Sequence, residues 1–238
     1  MLIKGLQKLT LLDFPDKMAC TVFTFGCNFR CPFCHNASLV LAERADDTSV
    51  SEEELFALLR KRRGILQGVC DTGGEPTLMP DLPAFLSKIK DMGYAVKLDT
   101  NGARPAVLKA VVEAGLVDYV AMDIKNSLAR YGETVGIPEL DTAPIEESMD
   151  YLMAGHVPFE FRTTLVRGLH TAEDILAMGE RLRGDERFFL QTFEDSGDLI
   201  AGDLIAGDAP LGAFDSAETS AFLSILRTYI PTAQIRGD

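Results

Sequence analysis

Cys27, Cys31 and Cys34 place three thiols within eight consecutive residues. Iron–sulfur clusters are held by cysteine thiolates, ordinarily four of them. A Cys-x3-Cys-x2-Cys triple supplies three, so one iron of a 4Fe–4S cluster would keep an open position where a small molecule can bind and be polarised. The remaining cysteines, Cys20 and Cys70, fall inside apolar runs, and neither is an evident fourth ligand. Zinc is the alternative occupant and needs a fourth ligand; His35 is the nearest donor, yet immediate neighbours rarely both turn toward one small ion. Cys31-x2-Cys34-His35 also has the spacing of covalent haem attachment, a reading that the lack of an export signal disfavours.

Later segments carry groups that could complete such a site. Thr72-Gly73-Gly74-Glu75-Pro76-Thr77 joins two glycines, which let backbone approach a ligand closely, to a carboxylate able to accept from an ammonium group. Lys97-Leu98-Asp99-Thr100-Asn101-Gly102 and Ala121-Met122-Asp123-Ile124-Lys125 each put an acid at or near a strand end. Taken alone, those acids read as helix caps or solvated charges. Arg162 lies in an apolar strand and so requires a partner, either a ligand with the acids around it or a salt bridge inside the sheet. His170 precedes Thr171-Ala172-Glu173-Asp174 and reads as a residue at a helix start rather than a base.

Six β-branched and aromatic runs, 19–25, 68–71, 94–99, 117–124, 158–166 and 187–193, have the pattern of strands. Helical periodicity occupies 51–66, 81–92, 105–114, 145–154, 171–182 and 216–229. Ser51-Glu52-Glu53-Glu54 is a capping box, and Leu55, Leu58 and Leu59 follow at helical spacing. Repeated βα units imply a parallel sheet with its chemistry at the carboxyl ends of the strands, and the cysteine triple, Gly73-Gly74-Glu75, Thr100-Asn101-Gly102 and Lys125 all fall on that rim. Six units are fewer than the eight of a closed barrel, so the expected fold is α/β, an incomplete (β/α)6 barrel with one open side. One domain is expected over 1–238, with 1–18 an amino-terminal extension and 195–215, where Asp198 to Gly202 recurs as Asp203 to Gly207, a mobile loop.

The net charge of −13, from 36 acidic and 23 basic side chains, disfavours binding to a phosphate backbone, so no nucleic-acid partner is expected. No apolar run approaches the roughly 20 residues that span a bilayer, and no signal peptide is evident. A soluble cytoplasmic protein without a membrane partner is the expectation. An odd count of five cysteines fits metal or thiol chemistry in a reducing compartment better than a disulfide framework.

The loop Cys27-Asn28-Phe29-Arg30-Cys31-Pro32-Phe33-Cys34-His35-Asn36 resembles the cluster loop of radical S-adenosylmethionine (SAM) enzymes, and more narrowly that of glycyl-radical-enzyme activases. The resemblance runs from Gly5 through Gln191 and is nearest to the anaerobic ribonucleoside-triphosphate reductase activating proteins, above all over 97–102, 117–125 and 161–166. It implies a 4Fe–4S cluster on Cys27, Cys31 and Cys34 and an adenine packed beside Phe33. It likewise implies a SAM site shared by Asn36, Gly73, Gly74, Glu75, Pro76, Asn101 and Arg162, with Gly73-Gly74-Glu75-Pro76 at the SAM amino group. Asp99, Thr100, Met122, Asp123 and Lys125 are implied to line the same site, some around a monovalent cation beside the SAM carboxylate. The chemistry is consistent, since Lys125 can pair with a carboxylate and the oxygens of Asp99, Thr100 and Asp123 suit a hard cation.

The implied activity is that of an oxidoreductase. One electron from reduced flavodoxin or ferredoxin splits SAM to methionine and a 5'-deoxyadenosyl radical, which takes hydrogen from a backbone glycine of a partner enzyme. The chain departs from the family in two places. Asp16 stands where members usually have glycine, so the turn before the first strand is expected to differ, and Gln191-Thr192-Phe193 lacks the histidine of pyruvate formate-lyase activases. The second departure shifts the expected partner toward anaerobic ribonucleotide reductase. Action on pyruvate formate-lyase or another glycyl radical enzyme, or on a small molecule, is the alternative within enzymes. A zinc-binding interaction module is the alternative outside them.

Overall fold

The computed structural model of the chain describes residues 1–41, 49–194, 199–200 and 211–236. β1 (Ile3–Thr10) runs antiparallel to β2 (Ala19–Thr24). From β2 onward every neighbouring pair is parallel: β3 (Gly68–Gly73), β4 (Ala95–Thr100), β5 (Tyr119–Asp123), β6 (Phe159–Leu165), β7 (Phe188–Thr192) and β8 (Gln234–Arg236). The order is strictly sequential and β1 and β8 do not pair, so the sheet remains open between them. The six expected strands are β2 to β7, which form the partial (β/α)6 barrel.

Sequence reading missed both edges. β8 is only three residues long, and β1 interrupts its apolar alternation with Lys4, Gln7 and Lys8. Residues 1–18 are therefore an edge hairpin rather than an appendage. Most of the expected mobile loop, 195–198 and 201–210, lies outside the described residues.

The crossovers carry α2 (Glu52–Lys61), α3 (Leu82–Asp91), α4 (Pro105–Glu113), α6 (Ala143–Met153), α7 (Ala172–Arg181) and α8 (Ser216–Leu226); α1 (Ala37–Val40) and α5 (Tyr131–Thr134) are single turns in rim loops. The capping box at Ser51 forms as expected: Glu54 N–H donates to Ser51 Oγ at 3.2 Å and Ser51 N–H returns to Glu54 Oε2 at 2.8 Å. Helix α2 ends at Lys61, before the expected residue 66, because Gly64 turns the chain at φ 83° and Ile65 N–H closes on Arg62 O. Equivalent boxes start α7 at Thr171 and α8 at Asp215. Among the described residues no helix is long and apolar enough to cross a membrane.

Strand alternation separates two kinds of interior. On the helix-facing side Val69, Val96, Leu98, Val120, Met122, Phe161 and Leu190 join the main apolar core with Leu55, Leu59, Phe85 and Ile89. Inside the curve of the sheet the side chains are largely polar, among them Thr21, Lys97, Asp99, Glu160 and Arg162. Phe14, Ala19, Tyr119 and Ala95 plug the floor, where Gly68 is required because a Cβ there would stand 2.8 Å from the Phe14 ring. Just above them Glu160 accepts two bonds from Arg236, at 2.7 and 2.9 Å, and one from Tyr119 Oη at 3.0 Å.

Asp16 adopts φ 60°, alone among the described non-glycine residues in the left-handed region. The turn thus takes the conformation that a glycine would favour, with an aspartate in place. Asp16→Gly is expected to stabilise the chain by about 0.5–1 kcal/mol, the left-handed penalty of a residue with a Cβ less the extra entropy of glycine. Thermal melts of the two proteins check this.

Asp71 lies fully buried on β3, and neither carboxylate oxygen has a hydrogen-bond partner. Burial, reinforced by Asp99 and Glu75, pushes its acid well above the usual range, so folding favours the protonated form. A raised acid stabilises only below its unfolded pKa of about 4, and that contribution is lost as pH rises. Asp71→Asn, which carries no proton to lose, is therefore expected to be more stable than the parent by about 1–3 kcal/mol near pH 8, with the gap closing toward pH 4. Urea titrations at both pH values test the sign.

Candidate functional site

The cysteine loop leaves β2 at Gly26 and is held from three sides. Gly26 N–H donates to Leu39 O at 2.7 Å, Arg30 N–H to Val135 O at 2.8 Å, and Glu75 N–H to Gly26 O at 2.8 Å. The Gly73-Gly74 pair is a packing requirement here: a Cβ on Gly74 would lie 2.0 Å from Gly26 O, and one on Gly73 2.4 Å from Thr24 N. Cys34 N–H closes a turn on Cys31 O at 3.0 Å. Phe29 packs edge-on against Tyr131 at 6.4 Å and anchors the loop to α5.

The three cysteines border a cavity of about 310 Å³ at the carboxyl ends of the strands. Phe33, His35, Asn36, Gly73, Gly74, Glu75, Asp99, Thr100, Asn101, Asp123, Lys125 and Arg162 share its wall. Pro76 and Met122 do not. Pro76 is buried in a turn of 3₁₀ helix, and Met122 packs in the outer core, its methyl group where a Cβ on Gly102 would fall. Strand alternation turns Met122 away from the interior that Asp123 faces, which corrects the sequence-based expectation for its side chain.

Glu75 behaves differently from a free acceptor. Its carboxylate receives Thr77 N–H at 3.1 Å, the Thr77 hydroxyl, Thr100 Oγ1 at 2.8 Å and Asn101 N–H at 2.7 Å. These four donors make it a strut between the rims of β3 and β4. Burial raises its acid despite those bonds. Asn101 continues the strut, its Nδ2 donating to Asn28 Oδ1 at 2.9 Å and pointing to Cys27 Sγ at 3.8 Å.

Positive charge is built into the opposite wall. Arg162 bridges Asp123 (Nε to Oδ1, 2.9 Å) and Asp99 (Nη1 to Oδ2, 3.2 Å), Lys97 pairs with Asp99, and Lys125 reaches Asp123 Oδ2 at 3.1 Å. Burial alone would raise both acids, but Arg162, with Lys97 or Lys125, overrides it and holds both below the usual carboxylate range. Both readings of Arg162 meet here: it closes a salt bridge and faces the cavity. His170 is buried, accepts Val166 N–H at Nδ1 (3.1 Å) and meets Lys125 O at Nε2 (2.9 Å), so it buttresses the Lys125 backbone as a neutral ring off the cavity wall.

Burial pushes the Cys27 thiol up to about 11, and that of Cys31 to about 12 with Lys125 opposing. Metal binding must therefore displace protons from this loop. Among the described residues no three Cys, His, Asp or Glu side chains converge as ligands for a single metal ion. Three cysteine thiols on one loop beside the cavity are the donor set of a multi-iron cluster with one iron left for a ligand.

The sequence profile of the Radical SAM superfamily matches residues 21–182. The chain belongs to this superfamily. A Methanocaldococcus jannaschii protein with the provisional name glycyl-radical enzyme activating enzyme is 31% identical over 198 residues, 81% of this chain and 80% of its own. The 7-carboxy-7-deazaguanine synthase of Thermococcus kodakarensis is 29% identical over 126 residues, 45% of this chain and 49% of that one. Among solved structures, Streptococcus suis SuiB bound to its precursor peptide SuiA overlays with a TM-score of 0.68 at 14% identity, covering 91% of this chain and 48% of SuiB. At that identity the likeness concerns the fold, and this chain spans about half the length of SuiB and of the deazaguanine synthase. Radical SAM membership implies a 4Fe–4S cluster and SAM as cofactors.

Sequence reasoning missed Gln7, Asp13, Thr21, Phe23, Thr72, Thr164 and Gln191 on the cavity wall. Alternation carried the signal for several of them: once Arg162 faces inward on β6, Thr164 must as well. Gln7 and Asp13 come from the hairpin that was read as an extension. Cys20 and Cys70 are both buried and off the cavity, Cys70 3.7 Å from Asp99 Oδ1 and 3.8 Å from Lys97 Nζ.

Proposed function

We propose that this chain is a glycyl-radical-enzyme activase acting on anaerobic ribonucleoside-triphosphate reductase in the reducing cytoplasm. The observation that carries the reading is the cysteine-rimmed cavity in a barrel left open between β1 and β8, which can admit a loop of a large partner. The Methanocaldococcus relative, matched over most of both chains, supports the same activity by its name.

In this reading Cys27, Cys31 and Cys34 hold the 4Fe–4S cluster, and a flavodoxin or ferredoxin reduces it. When bound, the cluster supplies the electron that splits SAM into methionine and a 5'-deoxyadenosyl radical. The chain positions and shields SAM. Phe33 would flank the adenine, with Asn36 beside it; the backbone at Gly73 and Gly74 would meet the amino group, since Glu75 is occupied by protein donors, and Asn101 steadies the loop at Cys27. Lys125 and Arg162, both on the cavity wall, would pair with the SAM carboxylate. Asp99, Thr100 and Asp123 supply oxygens toward a monovalent cation, although Arg162 already bridges the two acids and reduces the need for one. The radical so supplied would take a hydrogen atom from a glycine Cα of the partner, leaving 5'-deoxyadenosine and a glycyl radical. The whole chain, 1–238, acts as one domain.

The test is anaerobic mixing of reconstituted, reduced chain, SAM and the reductase. A glycyl doublet in the electron paramagnetic resonance spectrum, matched by 5'-deoxyadenosine, supports the reading. SAM cleavage with no radical on the reductase, but with a radical on pyruvate formate-lyase or turnover of a small molecule, would replace it.

A further inference from the structure

Five of the seven large apolar side chains exposed among the described residues cluster at the amino terminus: Leu2, Leu9, Leu11, Leu12 and Met18, against Ile65 and Leu176 elsewhere. Leu12 is 87% exposed, Leu11 67% and Leu9 49%. Such a concentration on one short hairpin differs from the scattered exposed leucines that need no explanation. These three leucines occupy the end of β1 and the turn after it. β1 is the terminal strand of the sheet; an isolated bridge from Val50 covers its outer edge at Ile3, and, among the described residues, 6–10 pair with no strand except β2. The register with β2 slips between Gln7 and Thr10, a bulge that turns Lys8 and Leu9 outward.

The strip is continuous with the cavity. Gln7, on the same strand, and Asp13, just beyond Leu12, both line its wall. Across the opening β8 offers only Gln234, Ile235 and Arg236, and Arg236 is committed to Glu160. An activase has a polypeptide substrate, so the chain on each side of the reacting glycine must cross the rim of the cavity. On the β1 side it meets a strand edge and exposed leucines; on the β8 side it meets a short edge with Gln234 and Arg236.

We propose that Leu9, Leu11 and Leu12, at the outer edge of β1, dock the extended apolar segment flanking the radical-bearing glycine of the partner enzyme. This rests on the activase reading and adds to it the surface that selects the partner. Main-chain bonds along an open strand edge give affinity, and apolar side chains beside it give specificity. Gln7 stands where the docked segment bends into the cavity.

The experiment uses reconstituted holoenzyme carrying Leu9→Ser, Leu11→Ser and Leu12→Ser together, assayed with anaerobic ribonucleoside-triphosphate reductase. All three side chains face solvent, so the fold, the iron content and SAM cleavage without partner are expected to match the parent. The KM for the reductase is expected to rise by at least about tenfold, as when a few anchor residues carry an interface. A photo-crosslinking amino acid at position 12 is expected to label the glycine-bearing segment of the reductase. An unchanged KM while the parent activates the reductase overturns the docking strip alone, as does crosslinking to a second copy of this chain. A parent that cleaves SAM without activating the reductase overturns the activase reading, and the strip with it.

Discussion

Replacing Cys31 by alanine is expected to abolish iron binding and SAM cleavage and to leave the fold intact. Cys31 is buried at the cavity edge, while the loop around it is held by backbone bonds that it donates to Leu39 and Val135 and accepts from Glu75, none of which needs a thiol. Removing one sulfur from the core costs about 1 kcal/mol in lost burial, well inside the stability of a domain this size. With two thiolates left on the loop, a cluster that already has one fewer ligand than usual has no replacement, because Cys20 and Cys70 lie off the cavity wall. Iron should fall from about four per chain toward zero, and 5'-deoxyadenosine to background. Cys20→Ala and Cys70→Ala should keep both. Iron analysis, electron paramagnetic resonance and product chromatography on the three variants decide the matter. Full iron and cleavage in Cys31→Ala would remove the cysteine triple from its assigned role.

Arg162→Met should have the largest effect on stability. The guanidinium is the shared partner of Asp99 and Asp123, and its loss leaves two largely buried carboxylates with one lysine each. Breaking a buried ion pair on one side costs about 3–5 kcal/mol, a drop of roughly 10 °C in a chain of this length. The pH dependence gives the effect a signature. Both acids are depressed in the folded parent, so they stabilise it above an unfolded pKa of about 4, and that stabilisation is lost as pH falls through their lowered values. Without Arg162 burial would raise them instead, so the deficit of Arg162→Met should be greatest near pH 8 and narrow toward pH 4.5. Arg162→Lys should recover part of it, since one ammonium cannot reproduce a two-acid fork. A deficit independent of pH would point to lost packing rather than lost charge.

The departure at Asp16 shows how far a local motif can be read. At the position of the missing glycine the backbone takes left-handed geometry, and the aspartate bears the strain. Phe14, from the same turn, seals the barrel floor against Tyr119 at 6.2 Å, and that tertiary contact outweighs the local preference. Glu75 teaches the converse. Its type and neighbours suggest a ligand carboxylate, but donors from Thr77, Thr100 and Asn101 fill it, and the latter two arrive from another strand.

What the sequence determined by itself was everything encoded at short range: the three-cysteine loop, the six βα units, the capping box at Ser51 and the rim on which the motifs gather. Ligand spacing, hydrophobic period and cap chemistry act over fewer than about ten residues, so they are legible without a fold. Only the tertiary structure decided that Arg162 joins Asp99 to Asp123 across 63 and 39 residues, that Met122 turns outward and that Asp71 is buried without a partner. It also decided that the open side expected from six units lies between β1 and β8, the two edges that sequence patterning missed. Those outcomes depend on strand register and on which distant side chains meet inside the sheet, and register is set by packing both faces of the sheet at once rather than by any one segment.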